Sequence, residues 1–433
     1  MKRTFVAATL VVACAWAPRS SAQGSPEGTA GCSRPLDADT VVRCALAASP
    51  EVREARERLA GLAGRRQTAG VWLPSNPTVG GTVSTRRRPP PEAATVLNWS
   101  AILSQELEIG GQRGLRVEAV DAEATAQARR VGVAEQDVAA GALTAFYEAM
   151  AAQEGLQFAA ELAQGAQALA TFAEGRAKEE LLAGVEADVA RAEATRIGLA
   201  RLEAQRRLSD SRAVLAALLD VNVGGLTLPR KVEMSPALAP DGSLEQQALK
   251  LRGEVAAAEM ESKVLERRLA VVRRERVPNI TLSAFAERGE ISDRILGVGL
   301  SVPLPLPAPL GRTRAGEIAD TLAQIRASES SAELVRRRVR VEVARATAAV
   351  AAREGASALF ADDLLARART DLKSLREAIA SRQLPLREGL QWQRSLVELL
   401  QAHIQARLDR ALASIDLRRV VGLPMTSPER GAR

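Results

Sequence analysis

Few side chains in this chain are able to carry chemistry, and they are scattered. His403 is the only histidine in 433 residues. It lies within a run with helical apolar spacing, Leu390, Val397, Leu400, Ile404 and Leu408, where helix packing suits it better than the role of a base. The cysteines are Cys14, Cys32 and Cys44. No nucleophile motif, phosphate-cradling loop or metal-ligand cluster stands in the sequence. A dedicated zinc or copper site takes several His or Cys ligands. The expectation is therefore a protein that is not an enzyme, with no catalytic residues, no cofactor and no resident metal.

What remains is the chemistry of surfaces. Val79, Gly81 and Val83 alternate with Thr78, Gly80, Thr82 and Ser84. After the loop Arg86-Arg87-Arg88-Pro89-Pro90-Pro91, Leu97, Trp99, Ala101 and Leu103 alternate with Asn98, Ser100 and Ser104. The grammar returns later: Ile280, Leu282, Ala284 and Ala286 alternate with Thr281, Ser283 and Phe285, and Leu296, Val298, Leu300 and Val302 with Gly297, Gly299 and Ser301. Each run is about 9–11 residues, the length of a tilted strand that crosses a bilayer. One face reads apolar and the other small and polar, as in a barrel with lipid outside and water inside. The expected lipid-facing set is Val79, Val83, Leu97, Trp99, Leu103, Ile280, Leu282, Leu296, Val298 and Leu300. A hairpin of a soluble β-sandwich alternates identically, so this pattern leaves both readings open.

These strands need supports, and the composition says what they are. Aromatic residues make up only 3% of the chain and hydrophobic residues 46%, with Ala, Leu, Arg and Glu prominent, the palette of long helices. A first helix is expected from Asp37 or Asp39 to about Gly70. Two helical hairpins follow, over 113–221 and 312–421, turning around Gly184 and around 381–386, with Pro385 opening the last helix. Outward stretches of about 70 residues would reach roughly 100 Å at ~1.5 Å per residue. The order of elements occurs twice, which predicts two tandem structural repeats, 23–245 with a β-hairpin at 77–107 and 246–424 with a β-hairpin at 279–303, then a tail at 425–433. The fold class is mainly α with a small β part. Four short strands cannot close a membrane barrel alone, so several copies must contribute; two would give eight strands and a filled interior, three would give twelve and a passage.

The N-terminus reads as an export signal over 1–22: Lys2 and Arg3, an apolar run from Phe5 to Ala17, then Ser20-Ser21-Ala22. The alternative is a lipobox at Val11-Val12-Ala13-Cys14, which would lipidate Cys14. Cleavage after Ala22 removes Lys2, Arg3 and Arg19, and the net charge falls from +7 to +4. Basic residues interleaved with acidic ones mark solvated helix faces, so nucleic acid is not an expected partner. In an oxidising compartment Cys32 and Cys44 are expected to pair.

Over nearly all of the mature chain the sequence resembles the TolC-type outer-membrane factors. The likeness rests on Leu46-Ala-Ala-Ser-Pro-Glu51, on Gln105-Glu-Leu-Glu-Ile-Gly-Gly-Gln-Arg113, and on Leu300-Ser-Val-Pro-Leu304 leading to Gly311-Arg312. The Gly-Gly-Gln-Arg and Val-Pro-Leu-Pro elbows look most like the heavy-metal (CzcC-like) branch. The resemblance implies a homotrimer, a twelve-stranded barrel in the outer membrane with its lipid as partner, and a long periplasmic helical tunnel. It also implies a periplasmic adaptor, an inner-membrane pump and passive conduction of cargo, here heavy-metal cations. Drug efflux and type I protein secretion use the same architecture, and a periplasmic coiled-coil scaffold is the alternative from another class. By position the tunnel tips hold Gly184, Asp188, Arg382 and Glu388. Arg382 falls where the family often has a gating arginine. Where relatives place rings of aspartate, this chain reads Leu386-Arg387-Glu388-Gly389, so only Glu388 could serve.

Overall fold

The computed structural model describes residues 32, 36–87, 95–229, 244–288, 293–304, 306, 309–311, 313–360, 363–381 and 384–425. The expected export signal at 1–22 and the tail beyond Met425 lie outside them. Among the described residues two helices stand where one was expected, α1 (Ala38–Ala48) and α2 (Pro50–Ala69). Asp37 caps α1, its carboxylate accepting from the Thr40 amide at 2.7 Å. The break falls at Ser49-Pro50. Proline lacks an amide donor and forces the residue before it out of the helical region. Ser49 is accordingly extended, and its hydroxyl accepts from the Val52 amide at 3.3 Å to start α2.

Strands β1 (Thr78–Arg87) and β2 (Thr95–Leu107) follow, then α3 (Gln112–Lys178), a single helix of 67 residues and therefore about 100 Å long. It turns back at 179–183 into α4 (Gly184–Leu219). Helices α5 (Leu244–Leu251) and α6 (Gly253–Arg274) lead to β3 (Ile280–Arg288) and β4 (Arg294–Ser301). The second outward stretch differs from the first. It is divided into α7 (Ala315–Ala358) and α8 (Leu364–Ala380). At the end of α7 the amides of Leu359 and Phe360 bond to carbonyls three residues back, those of Ala356 and Ser357, a tightened turn that ends an α-helix. Helix α9 (Leu386–Val421) returns the chain.

Burial is concentrated in the helices and the segments packed against them, and no described strand residue is buried. One cluster gathers the inner faces of α1, α3 and α4 with α9, around Phe146, Leu143, Leu215, Leu219 and Ile415. A second fills the far end of both hairpins, from Phe158 and Leu162 to Ala187, Ile379 and Leu390. A third joins α5, α7 and α9 through Val339, Val343, Leu417 and Val420. Alanine recurs at these contacts (Ala142, Ala149, Ala173 and Ala190 are all buried) and lets the long helices lie close. Cys32 and Cys44 form a disulfide with Cα atoms 6.1 Å apart, within the first cluster.

Phe146 is 1% exposed and is among the largest fully buried side chains. Phe146→Ala should cost about 3–5 kcal/mol. The expected readout is a lower thermal midpoint by far-UV circular dichroism, with the helical signal at low temperature unchanged.

Candidate functional site

The four strands form one antiparallel sheet in the order β1-β2-β3-β4. Directly opposed residues share a face, so the register assigns every side chain. Val79 pairs with Leu103, Val83 with Trp99 and Thr85 with Leu97. Leu103 pairs with Ala284, and Gln105 with Leu282. Leu282 pairs with Leu300, Ala284 with Val298 and Ala286 with Leu296. Val79, Val83, Leu97, Trp99, Leu103, Ile280, Leu282, Leu296, Val298 and Leu300 therefore stand on one face of a continuous sheet. All but Ile280 are exposed, from 39% at Trp99 to 82% at Leu296.

No described strand residue is buried, and the helix contacts of the chain leave both faces of the sheet uncovered. A soluble sandwich would put a second layer over Leu97 and Val298; here they are 53% and 81% exposed. Burying each such side chain stabilises by about 1.5–3 kcal/mol. Nine left in water would forgo on the order of 20 kcal/mol, more than the ~5–15 kcal/mol that keeps a typical domain folded.

The opposite face carries Thr78, Thr82, Ser84, Asn98, Ser100, Ser104, Thr281, Ser283 and Ser301, with the Thr82 and Ser100 hydroxyls 2.7 Å apart. It is not uniformly small and polar, as the alternation suggested. Ile102, Phe285 and Ile295 stand on it too.

Below the sheet, the elbow at 110–113 ties the strands to the helices. Gly111 caps α3 in the left-handed region, φ 72°, where a side chain is strained. Arg113 donates to the Gly70 carbonyl at 2.7 Å and lies over the Trp72 ring, 4.1 Å from its centre. Gln112, 3% exposed, donates to the Val277 carbonyl at 3.3 Å and to Asn279 Oδ1 at 3.2 Å. Asn279 in turn donates to Glu106 at 2.8 Å. One short segment thus binds the end of α2, the start of α3 and the entry to β3.

At the far end, Gly184 opens α4, while Asp188 lies one turn inside that helix, exposed and 3.5 Å from Arg191. Glu388 is exposed in the first turn of α9. Arg382 lies outside the described residues. Both turns pack into one apolar cluster, Leu182 from the first with Leu384, Leu386 and Leu390 from the second. About two turns above the tips lies a site that sequence reasoning missed. Glu193 of α4 is 2% exposed and accepts from Arg196 on its own helix at 3.0 Å and from Arg394 of α9 at 2.7 Å. Burial pushes its carboxyl up, but the hydrogen bonds and charges of Arg196 and Arg394 outweigh it, and the net effect is a lowered pKa. Arg196 and Glu193 read as an ordinary surface pair at i,i+3; no local signal announces a partner 201 residues away.

Among the described residues there is no group of three or more His, Cys, Asp or Glu placed to hold a metal ion. His403 is buried on α9 with its ring edge-on to Phe360, centres 5.1 Å apart. No described helix is long and apolar enough to cross a membrane, which bears on helices and not on the sheet.

No protein-family model matches the chain, and no curated protein matches it. Solved structures do match its fold. A structure of CusC described in terms of transmembrane channel formation superposes with a TM-score of 0.74 at 17% identity, over 90% of this chain and 93% of that one. The outer membrane protein VceC of Vibrio cholerae gives 0.69 at 15%, over 90% and 97%. The open-state outer membrane channel MtrE of Neisseria gonorrhoeae gives 0.63 at 18%, over 89% of both chains.

Because the Glu193 carboxyl is held below its ordinary value of 4.5, the clasp contributes fully above about that pH and is lost as pH falls through the lowered value. Glu193→Gln leaves Arg394 without its countercharge, a loss of about 3–5 kcal/mol at full burial and less here, where Arg394 is half exposed. A cysteine pair placed across the α4 and α9 tips should crosslink more slowly in that variant at neutral pH, and wild type should approach the variant only well below pH 4.5.

Proposed function

We propose that this chain is the outer-membrane exit duct of an efflux pump, closed from three copies and passive in its chemistry. The observation that carries this reading is the sheet, whose outer face is apolar and whose two edges are open. Strands β1 and β4 present unpaired backbone along Val79–Val83 and Ile295–Leu300, without the charges or prolines that blunt the edge of a soluble sheet. With four alternating strands, β4 of one copy runs antiparallel to β1 of the next, whatever the number of copies. Three copies make twelve strands, enough to leave a water-filled bore where eight would be filled by side chains. The fold of solved outer-membrane channels supports the same assembly.

On this reading the two tandem halves, 23–245 and 246–424, each contribute one β-hairpin and one helical hairpin to barrel and tunnel. The helical hairpins hang about 100 Å into the periplasm, where a periplasmic adaptor and an inner-membrane pump meet their tips. Gly184, Asp188, Arg382 and Glu388 mark the tip region and Glu193–Arg394 clasps the hairpins above it. The cargo we assign is heavy-metal cations, on the metal-branch likeness of the elbows. The described residues offer such ions no ligand cluster, so they pass without being held. The duct is not an enzyme and needs no cofactor.

Two experiments test this. Val298→Arg puts a charge on the lipid face, at about 2–4 kcal/mol near the bilayer midplane, and should abolish the outer-membrane trimer. Ser84→Arg, on the other face, should leave it intact; equal tolerance of both variants would refute the face assignment. Deletion should raise sensitivity to a transition metal. Unchanged metal tolerance with new sensitivity to drugs would move the cargo to the drug class and leave the duct standing.

A further inference from the structure

One transverse row of the inner sheet face departs from its surroundings. Register places Gly80 opposite Ile102, Ile102 opposite Phe285, and Phe285 opposite Gly297. The row below it is Thr78, Ser104, Ser283 and Gly299. The two largest apolar side chains of this part of the face are thus flanked, at the same level, by the two residues that have no side chain.

The flanking glycines are occupied space rather than gaps. A Cβ built on Gly297 would fall 2.8 Å from Phe285 Cε1 and closer still to Cζ; one built on Gly80 would fall 3.2 Å from Ile102 Cγ2. Opposed residues in an antiparallel pair have Cα atoms about 4.5–5.5 Å apart. The tip of a phenyl ring reaches its neighbour's Cα only by lying along the sheet. Phe285 is accordingly half-buried although nothing covers this face. Ser283 leans the same way in the row below, its hydroxyl donating to the Gly299 carbonyl at 3.3 Å.

We propose that Ile102 and Phe285 form an apolar collar that sets the size limit of the bore at this level, and that Gly80 and Gly297 are recesses that hold the two side chains against the wall. The inference rests on the reading of this face as the bore. Threefold closure would repeat the collar three times around one ring. A methyl group at 297 removes the recess, and the ring swings inward because its free tip is the part that yields. Small ions would still pass; bulky solutes would meet three rings at once. The collar therefore discriminates by size and not by charge.

The test uses the full-length trimer in planar bilayers, with single-channel conductance and the exclusion limit for neutral polyethylene glycols as readouts. Gly297→Ala should lower the conductance and shift the exclusion limit to smaller polymers. Phe285→Ala/Gly297→Ala should return both to wild-type values or above. Wild-type behaviour of Gly297→Ala overturns the proposal. So does a narrowed channel that the second substitution fails to rescue, since the effect would then not run through the ring. A wild-type trimer that forms no channel sinks the duct reading itself, and the collar with it.

Discussion

A sheet placed in hydrocarbon has to close on itself, because an unpaired N–H or C=O finds no water there and each costs several kcal/mol. This chain supplies four strands and leaves both outer edges open. On the proposed reading, most of the remaining architecture follows from that debt: closure comes from other copies, and the even strand number keeps their pairing antiparallel. On that reading each pair of strands starts and ends on the same side of the membrane, and a helical hairpin that goes out and comes back connects them. The apolar face is left uncovered by the helices, and on the proposed reading it is the surface that lipid covers.

The helices obey different physics. Away from the membrane their backbone is satisfied internally, and the remaining question is how long rods stay in register. Buried alanines let α3, α4 and α9 lie close, and ladders of surface ion pairs run between neighbours. Arg56–Glu135, Arg65–Glu123 and Arg66–Asp121, each at 2.6 Å, join α2 to α3 in this way. Singly such pairs contribute at most about 1 kcal/mol; in series they favour one register over its neighbours. Sheet and rods meet at the elbow, where Gln112 and Arg113 reach both halves of the chain. The angle at which the helices leave the sheet is therefore held by part-buried hydrogen bonds.

The legible parts of the sequence were those with a short period. Alternation in steps of two placed the ten residues expected to face lipid on one face of the sheet, because strand register cannot slip by one without turning every side chain over. The glycine and proline punctuation placed the turns around Gly184 and 381–386; the first falls just earlier, at 179–183, because Gly184 already opens α4, and Leu386 already opens α9. Ser49-Pro50 ended a helix within a stretch whose apolar spacing ran on across it, and the division of α7 from α8 had no proline to announce it, only Gly355 in the last turn of α7, a residue type that also stands inside α3. The Gly-Gly-Gln-Arg segment was legible as a likeness and illegible as a mechanism, since Val277 and Asn279 lie more than 160 residues further on. The Glu193–Arg394 clasp was hidden for the same reason.

By itself, then, the sequence determined the kind of body this is: long helices, four alternating strands and one apolar sheet face. Those properties are set by residue type and local period, which are read along one dimension. Only the tertiary structure decided which distant groups meet: Glu193 with Arg394, Gln112 with Asn279, Phe285 with Gly297. Such contacts depend on the registration of separate elements, a sum over many weak packing terms that no local pattern encodes.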